Sequence, residues 1–441
     1  MRIDPWASQQ STDYARLRDE FGIQEFDPDF LPQPSRLMER GVIFGHRGFE
    51  VVARAIRMGD PFGTLTGLMP SGPMHLGHKL VMDQVIYYQG LGADVSITVA
   101  DIEAYATRNL SLERSREIAE KNYIINYLAL GLKPERMQIY FQSKRAAVKD
   151  LSWKLGRKVN WTTMESIYGF DGTTNMAHAI APLVQVGDIL HVQLPQYGGP
   201  RPVVVPVGVD QDPHIRLTRD VAQANRTFNV QLHKDDKLGE VVGVFVKVDE
   251  NVEGLLAAAK ARLEKEGFAD IKLNVPYKAL YVPSGGAGEI PIVDAALAEL
   301  ETKKGFFGFI APAATYHRFM GGLQGGKMSS SKAESHVSLI DTPEDAAKKM
   351  GAAQTGGRAT AEEQRRLGGR AEECMVYETY VYHLVPDKKE LSKLYEDCKG
   401  GKMLCGECKG IAKAKVHAFL SDLREKRGQV EHLVKQLVRE D

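Results

Sequence analysis

Between Pro61 and about Ala222, apolar runs of strand type alternate with amphipathic runs of helical type. This alternation limits the fold more than any other feature. "FGTLTGLM" reads as a strand that ends at "PSG". "HKLVMDQVIYYQGL" follows with helical spacing at Leu80, Val81, Gln84, Val85 and Tyr88. "ADVSITVAD" is a second strand. "SLERSREIAEKNYIINYLALGL" is a helix opened by Ser111 and stopped at Gly131. "QIYFQS" and "RPVVVPVGVD" are a third and a fourth strand. Strands alternating with helices build a parallel sheet with helices on both faces. Ligands of such sheets bind outside the carboxyl ends of the strands.

Residues 1–60 read as a mixed, largely helical extension. From about Gln223 to Ala314 the character changes. "EVVGVFVKV" alternates as a strand. "NVEGLLAAAKARLEKEGF" places Val252, Leu255, Leu256, Ala259 and Leu263 on one helical face. "DIKLNVPYKALYV" is extended and "IPIVDAALAELETKKG" is helical. After about Asp341 every segment reads as helix. The expected fold class is therefore α/β: a Rossmann-like parallel-sheet domain over 61–222 and 315–340, an inserted small α/β module over 223–314, and a C-terminal all-helical domain over 341–441. Lying between the sheet and residue 315, the module is expected to project near the rim of the ligand site. A formal net charge of zero gives no global basic field for nucleic acid. The N-terminal stretch has no apolar signal core, and no run of about 18 apolar residues exists. The expectation is a cytoplasmic enzyme with no membrane and no DNA partner.

"PSGPMHLGH", Pro70 to His78, joins the first strand to its helix. Gly72 permits a tight turn, and Gly77 leaves room for a ligand against the backbone. A helix that starts here points unpaired N–H groups and a positive dipole end at an anion. His75 and His78 are then donors to phosphate oxygens. A metal site would want further ligands nearby, and Asp83 lies on the wrong side of the helix start. Plain capping of the helix by both histidines is the competing structural reading. "GGKMSSSK", Gly325 to Lys332, is a second anion-binding candidate: a mobile glycine lead-in, the point charge of Lys327, and three hydroxyls. Alone it also reads as a solvated serine loop.

Together, "MHLGH" and "KMSSS" resemble the two signature motifs of class I aminoacyl-tRNA synthetases, in the right order and in an α/β setting. The resemblance implies in-line attack of an amino-acid carboxylate on the α-phosphate of ATP, with Mg2+ and loss of pyrophosphate. It implies that His75 and His78 stabilise the reacting phosphate, and that Lys327, with Met328, Ser329 and Ser330, holds the leaving group. Gly77, Gly208, Asp210 and Gln211 match positions that meet ATP. "APLVQVGDILHV" and "VPVGVDQDPHIRLTRDVA" resemble the paired subclass for tryptophan and tyrosine. By that resemblance Gln185 meets the substrate amino group and Asp188 the polar atom of the ring. Leu65 stands where archaeal tyrosine enzymes place a hydrogen-bonding Tyr, and Leu65 and Thr98 replace a Tyr and a Gln that eukaryotic-type enzymes set around indole. Leu65 and Gly67 belong to the substrate pocket in this reading. "DQDPHIRLTRD", "TGGRATAEEQRRLGG" and "YHRFMGGLQGGKMSSSK" are similar to tryptophan members of archaeal and eukaryotic type. The implied partners are tryptophan, ATP and tRNA(Trp), in a homodimer whose helical domain meets the anticodon. The rivals are a tyrosine–tRNA ligase, a non-catalytic tRNA-binding paralogue, and a nucleotidylyltransferase, which shares the histidine turn.

All four cysteines, Cys374, Cys398, Cys405 and Cys408, fall in the last sixth of the chain. Four soft ligands in a helical region fit an iron–sulfur cluster or zinc. Some tryptophan enzymes carry a four-iron cluster with nearly this spacing. Four buried free thiols are the alternative.

Overall fold

The computed structural model describes residues 13–235, 239–326, 328 and 332–439. Among them are the strands β1 (Gln24–Glu25), β2 (Ile43–Arg47), β3 (Gly63–Leu68), β4 (Asp94–Val99), β5 (Met137–Phe141), β6 (Val203–Gly208), β7 (Phe228–Asp235), β8 (Gly239–Val246), β9 (Lys272–Asn274), β10 (Ala279–Val282), β11 (Ala313–His317) and β12 (Val438–Arg439). The main sheet runs β1-β2-β11-β6-β3-β4-β5-β12. From β11 to β12 every neighbour is parallel, while β1–β2 and β2–β11 are antiparallel. This is the expected α/β class. Val203, Val204 and Val205, like Val95 and Ile97, are buried, as strands covered on both faces require.

The chain leaves β3 through the helix Leu76–Gly90 to β4 on one side, and β6 pairs with β3 on the other. The strand order therefore reverses between β3 and β6. Their carboxyl ends, Leu68 and Gly208, open a crevice where "PSGPMHLGH" and "GVDQ" meet.

Two edges differ from the sequence expectation. The N-terminal extension is not merely helical, because β2 lies inside the sheet, paired with both β1 and β11. "IFGHR" does not alternate, since an interior strand is buried on both faces. Gly45 is needed there, because a Cβ would stand 2.5 Å from Ile23 Cγ2. The C-terminal region is helical until its end, where β12 pairs Val438 with Ile139 and Arg439 with Tyr140.

β7, β8, β10 and β9 form a second, antiparallel sheet. The helices Val252–Lys265 and Ile290–Lys303 pack against it around Phe228, Val244, Leu256, Leu280 and Leu297. The helix Asp212–Asn225 carries the chain about 21 Å away from β6's carboxyl end. β11 then returns parallel to β6, with Ala313 beside Val204 and His317 beside Gly208. Both ends of this small sheet-and-helix unit thus sit at the amino ends of the strands. That corrects the expectation that it projects near the ligand rim. Arg226 holds it there: its Nη1 donates to Asp294 Oδ1 (2.9 Å) and to the carbonyl of Phe309 (3.0 Å), and its Nε to Glu301. Glu301 also accepts from the N–H of Phe228 at 2.8 Å. Burial raises the Glu301 pKa even beside this arginine.

After Asp341 the helices Pro343–Ala352 and Cys405–Val430 pack on the main core through Ala346, Met350, Val416 and Leu420. No helix of the described residues is long and apolar enough to cross a membrane.

Candidate active site

His75 is the N-cap of the helix Leu76–Gly90, in extended conformation. Its Nδ1 accepts from the N–H of Gly77 (3.1 Å), and its own N–H donates to His78 Nδ1 (3.2 Å). The capping reading is thus correct, and it does not exclude the anion-binding one. With Nδ1 of each ring accepting from backbone, the hydrogen of each neutral ring belongs on Nε2. Burial pushes His78 down to about 4, with His336 adding to it. Burial, then His78 and His336, hold His75 lower still. Both imidazoles are therefore neutral at pH 7, and each keeps one N–H donor. Gly77 is in close quarters: a Cβ would lie 3.0 Å from His75 Cε1 and 3.3 Å from Met328 Sδ, so either neighbour would have to give by a few tenths of an ångström. The same distances show that Met328 of the second motif lies over Gly77 of the first.

Asp188 sits on the helix Met176–His191, 1 % exposed. Its Oδ1 accepts from Thr98 Oγ1 (3.1 Å) and from the Tyr140 hydroxyl (3.0 Å), and its Oδ2 from Gln142 Nε2. Burial pushes its carboxyl up to about 7, although those three donors pull the other way. A carboxylate has about four acceptor sites, so three donors leave room for one more. Thr98 is thus a partner of Asp188 rather than a gap in the pocket. Tyr140 and Gln142 escaped the sequence reading. Their signal was the "QIYFQS" run: two residues apart at the carboxyl end of a parallel strand, they share a face.

Beyond β6, Val209–Gln211 makes a short turn into the helix Asp212–Asn225. A Cβ on Gly208 would stand 2.6 Å from Asp210 Oδ1 and 2.6 Å from Phe319 Cε1, so glycine is required for this close approach. Gly325 and Gly326, at φ 79° and 70°, take left-handed conformations that favour glycine. Lys327, Ser329 and Ser330 lie outside the described residues. Every other ligand-side candidate lines one cleft of about 760 Å3: Leu65, Gly67, His75, Gly77, His78, Gln185, Asp188, Gly208, Asp210, Gln211 and Met328. A volume of that size fits a nucleotide or an amino acid joined to one.

A family model described as tRNA synthetases class I (W and Y) matches residues 58–254 and 293–421. A protein of Methanosarcina acetivorans named tryptophan–tRNA ligase is 44% identical over 433 residues, 97% of this chain and 96% of that protein. One of the same name from Thermoplasma volcanium is 45% identical over 425 residues, covering 96% and 97%. This chain belongs to the class I tryptophan–tRNA ligase family. The solved tryptophanyl-tRNA synthetase of Aeropyrum pernix superposes on this synthetase with a TM-score of 0.74, at 38% identity over 100% of both chains. That of Encephalitozoon cuniculi bound to tryptophan, at 21% identity and a TM-score of 0.70, shares the fold, covering 97% of each chain.

The cysteines of this synthetase stand apart from the cleft. Cys374 caps the helix Met375–Thr379, Cys398 lies near the end of Lys388–Lys399, and Cys405 and Cys408 open Cys405–Val430. All four are free thiols. Among the described residues no group of three or more His, Cys, Asp or Glu side chains is arranged to hold a metal ion. The expected ligand set therefore does not stand assembled. Its thiols turn to separate partners: Cys405 Sγ to Gln364 Oε1 at 3.4 Å and Cys408 Sγ to the Tyr380 hydroxyl at 3.7 Å. They are still close enough to interact. Burial pushes Cys408 up to about 11, and Cys374, Cys398 and Cys405 add to it.

Proposed function

We propose that this synthetase activates tryptophan with ATP and transfers it to the terminal adenosine of tRNA(Trp). The observation that carries the reading is the pair of neutral imidazole donors in one cleft with a buried carboxylate. Asp188 receives the indole N–H, and Gln185 meets the amino group. The tryptophan carboxylate oxygen attacks the α-phosphorus of ATP. An O–P bond forms, the bond to the β-phosphate breaks, and pyrophosphate leaves. The N–H groups of His75 and His78 and the start of the helix receive charge growing on the phosphate oxygens. Gly77 and Gly208 admit the nucleotide against the backbone, Asp210 and Gln211 face its ribose, and Lys327 with Ser329 and Ser330 holds the pyrophosphate. Mg2+, used with ATP across class I, neutralises phosphate charge when bound. In the second step a tRNA hydroxyl oxygen attacks the adenylate carbonyl carbon, an ester C–O bond forms, the acyl–phosphate C–O bond breaks, and AMP leaves with its phosphate taking up the hydroxyl proton. Neutral imidazoles suit this chemistry, since positioning and hydrogen bonding do the work and no side chain must give up a proton. Tryptophan is favoured over tyrosine because Leu65 gives a phenol oxygen no partner. Single-turnover mixing tests this: tryptophanyl-adenylate should form from tryptophan and ATP and pass to tRNA(Trp), and a complex that forms no adenylate would refute it.

Three finer assignments belong to the same reading. The helical region after Asp341 meets the tRNA anticodon. A second copy packs on the helices Ala146–Gly156 and Met176–His191, a placement supported by Trp153 and Met176, 77 % and 67 % exposed there. Sedimentation of a dimer that Trp153→Glu converts to monomer would bear this out, and a wild-type monomer would reject it. The four thiols would hold an iron–sulfur cluster or zinc only after turning from their separate partners into one group, since among the described residues none stands arranged for a metal ion. What favours it is the room left at Gly369 and Gly357, where a Cβ would stand 2.7 Å and 2.8 Å from the sulfurs of Cys398 and Cys405. Anaerobically purified protein should contain iron with sulfide, or one zinc, and metal-free protein with normal tRNA affinity would reject it.

A further inference from the structure

The small antiparallel sheet has a face that its own two helices leave uncovered. Side chains along each strand alternate between two sides. Phe228, Val242, Val244, Leu280 and Val282 turn to the helices and form a core with them. The register puts Gln231 and Tyr281 beside Gly243, Asn229 and Ala279 beside Phe245, and His233 beside Val241, all on the other side. Three rings meet there. His233 and Tyr281, on the strands that flank β8, stack with centroids 5.0 Å apart and planes at 22°. Phe245 stands edge-on to both, at 5.7 Å and 6.3 Å. Gly243 makes the room, since a Cβ would lie 2.8 Å from Phe245 Cε2 and 3.0 Å from His233 Cβ. Each of the three rings is only half-buried.

The charge beside the rings has one sign. Lys272 lies opposite Tyr281 on β9, and Lys247 stands two residues past Phe245; both are exposed. On this face the first acid in register is Asp235, at the tip of β7. Exposed Gln231 and half-buried Asn274 add amides. A protein partner would want a continuous apolar centre. Rings interleaved with amides and lysines instead match the faces of bases, the edges of bases and phosphates. We infer that this open sheet face binds an unpaired strand of RNA, with bases stacked on His233, Phe245 and Tyr281 and with Lys272 against the phosphates. The face belongs to the unit that hangs at the amino ends of the main strands, away from His75 and Asp188. The strand held here is therefore not the tRNA end that reacts in the cleft, but part of a separate RNA bound without competition. The inference does not depend on how the cleft is read.

The test is fluorescence anisotropy of the full chain with labelled oligo(A) and oligo(U) strands of about ten nucleotides. Binding should weaken as salt rises, and it should persist under saturating tRNA(Trp). An oligo(A)–oligo(U) duplex should bind at least about tenfold more weakly, because its bases are not free to stack on the rings. Tyr281→Leu and Phe245→Leu should each weaken strand binding about tenfold, and Tyr281→Phe should keep it. Lys272→Glu should weaken it and flatten its salt dependence. All of these variants should retain wild-type ATP–pyrophosphate exchange and tRNA charging. Lys272 is exposed, so its variant reads the site even where a ring variant does not fold. Wild-type protein that binds neither strand would overturn the proposal. So would binding that tRNA(Trp) displaces, binding equal for strand and duplex, or binding that survives Tyr281→Leu and Lys272→Glu alike.

Discussion

His75 has two jobs on its two ring nitrogens. Nδ1 caps the helix and Nε2 faces chemistry, so a change to alanine removes both. His75→Ala should lower the exchange kcat about 100-fold, the usual cost of one transition-state donor. It should also cost about 1 kcal/mol of stability from the lost cap, read in urea unfolding. A variant that loses only stability would leave His75 as a cap. Asp188 predicts a pH effect. Burial pushes its carboxyl up to about 7, and only the ionised form offers full acceptor strength to an indole N–H. As pH falls through 7 the carboxylate takes up a proton, so the KM for tryptophan should rise between pH 8 and pH 6. In Asp188→Asn the profile should flatten, and a wild-type KM that does not change over this range would contradict the assignment. At this scale the sequence was informative wherever a residue carried its chemistry in a motif, as His75, His78 and Asp188 do. It was silent on Tyr140 and Gln142, which matter through their contacts with Asp188, more than 40 residues away in the chain.

The elements around the cleft are set by close approach. A methyl group at Gly77 would crowd the His75 ring at 3.0 Å and Met328 at 3.3 Å. Gly77→Ala should therefore displace the imidazole or the second motif. Exchange activity should drop at least about tenfold with the circular dichroism spectrum unchanged, and full activity would show that the contact is soft. β3, β4, β5 and β6 were legible because they are apolar runs ended by turn residues. β2 and β11 were not, because "IFGHR" and "AATYH" mix small, polar and aromatic residues. Their pairing with each other across 266 or more residues supplies what local pattern lacks. β12 is two residues long and exists only because β5 offers an open edge.

At the scale of the molecule, the segment from Phe228 to Lys303 forms its own core yet hangs at the amino ends of the main strands, opposite the cleft. Sequence order alone put it near the cleft, since order says nothing of which way a helix carries the chain. Its attachment rests on Arg226 and Glu301, whose side chains are both fully buried. Glu301→Ala should cost about 3–5 kcal/mol, because it leaves a buried guanidinium short of its partner. Guanidinium unfolding reads this directly, and a loss under about 1 kcal/mol would mean that solvent reaches the pair. Exchange activity at temperatures where the variant is folded should stay near wild type, since the clamp lies far from Asp188 and His75. The central claim is that the cleft selects tryptophan through Asp188 beside an apolar Leu65 and activates it with neutral imidazole donors. Amino-acid-dependent ATP–pyrophosphate exchange, measured as kcat/KM for tryptophan and for tyrosine on the same preparation, tests it most directly. The account predicts robust exchange with tryptophan and a kcat/KM for tyrosine lower by at least about 100-fold, whereas equal or better exchange with tyrosine would contradict it.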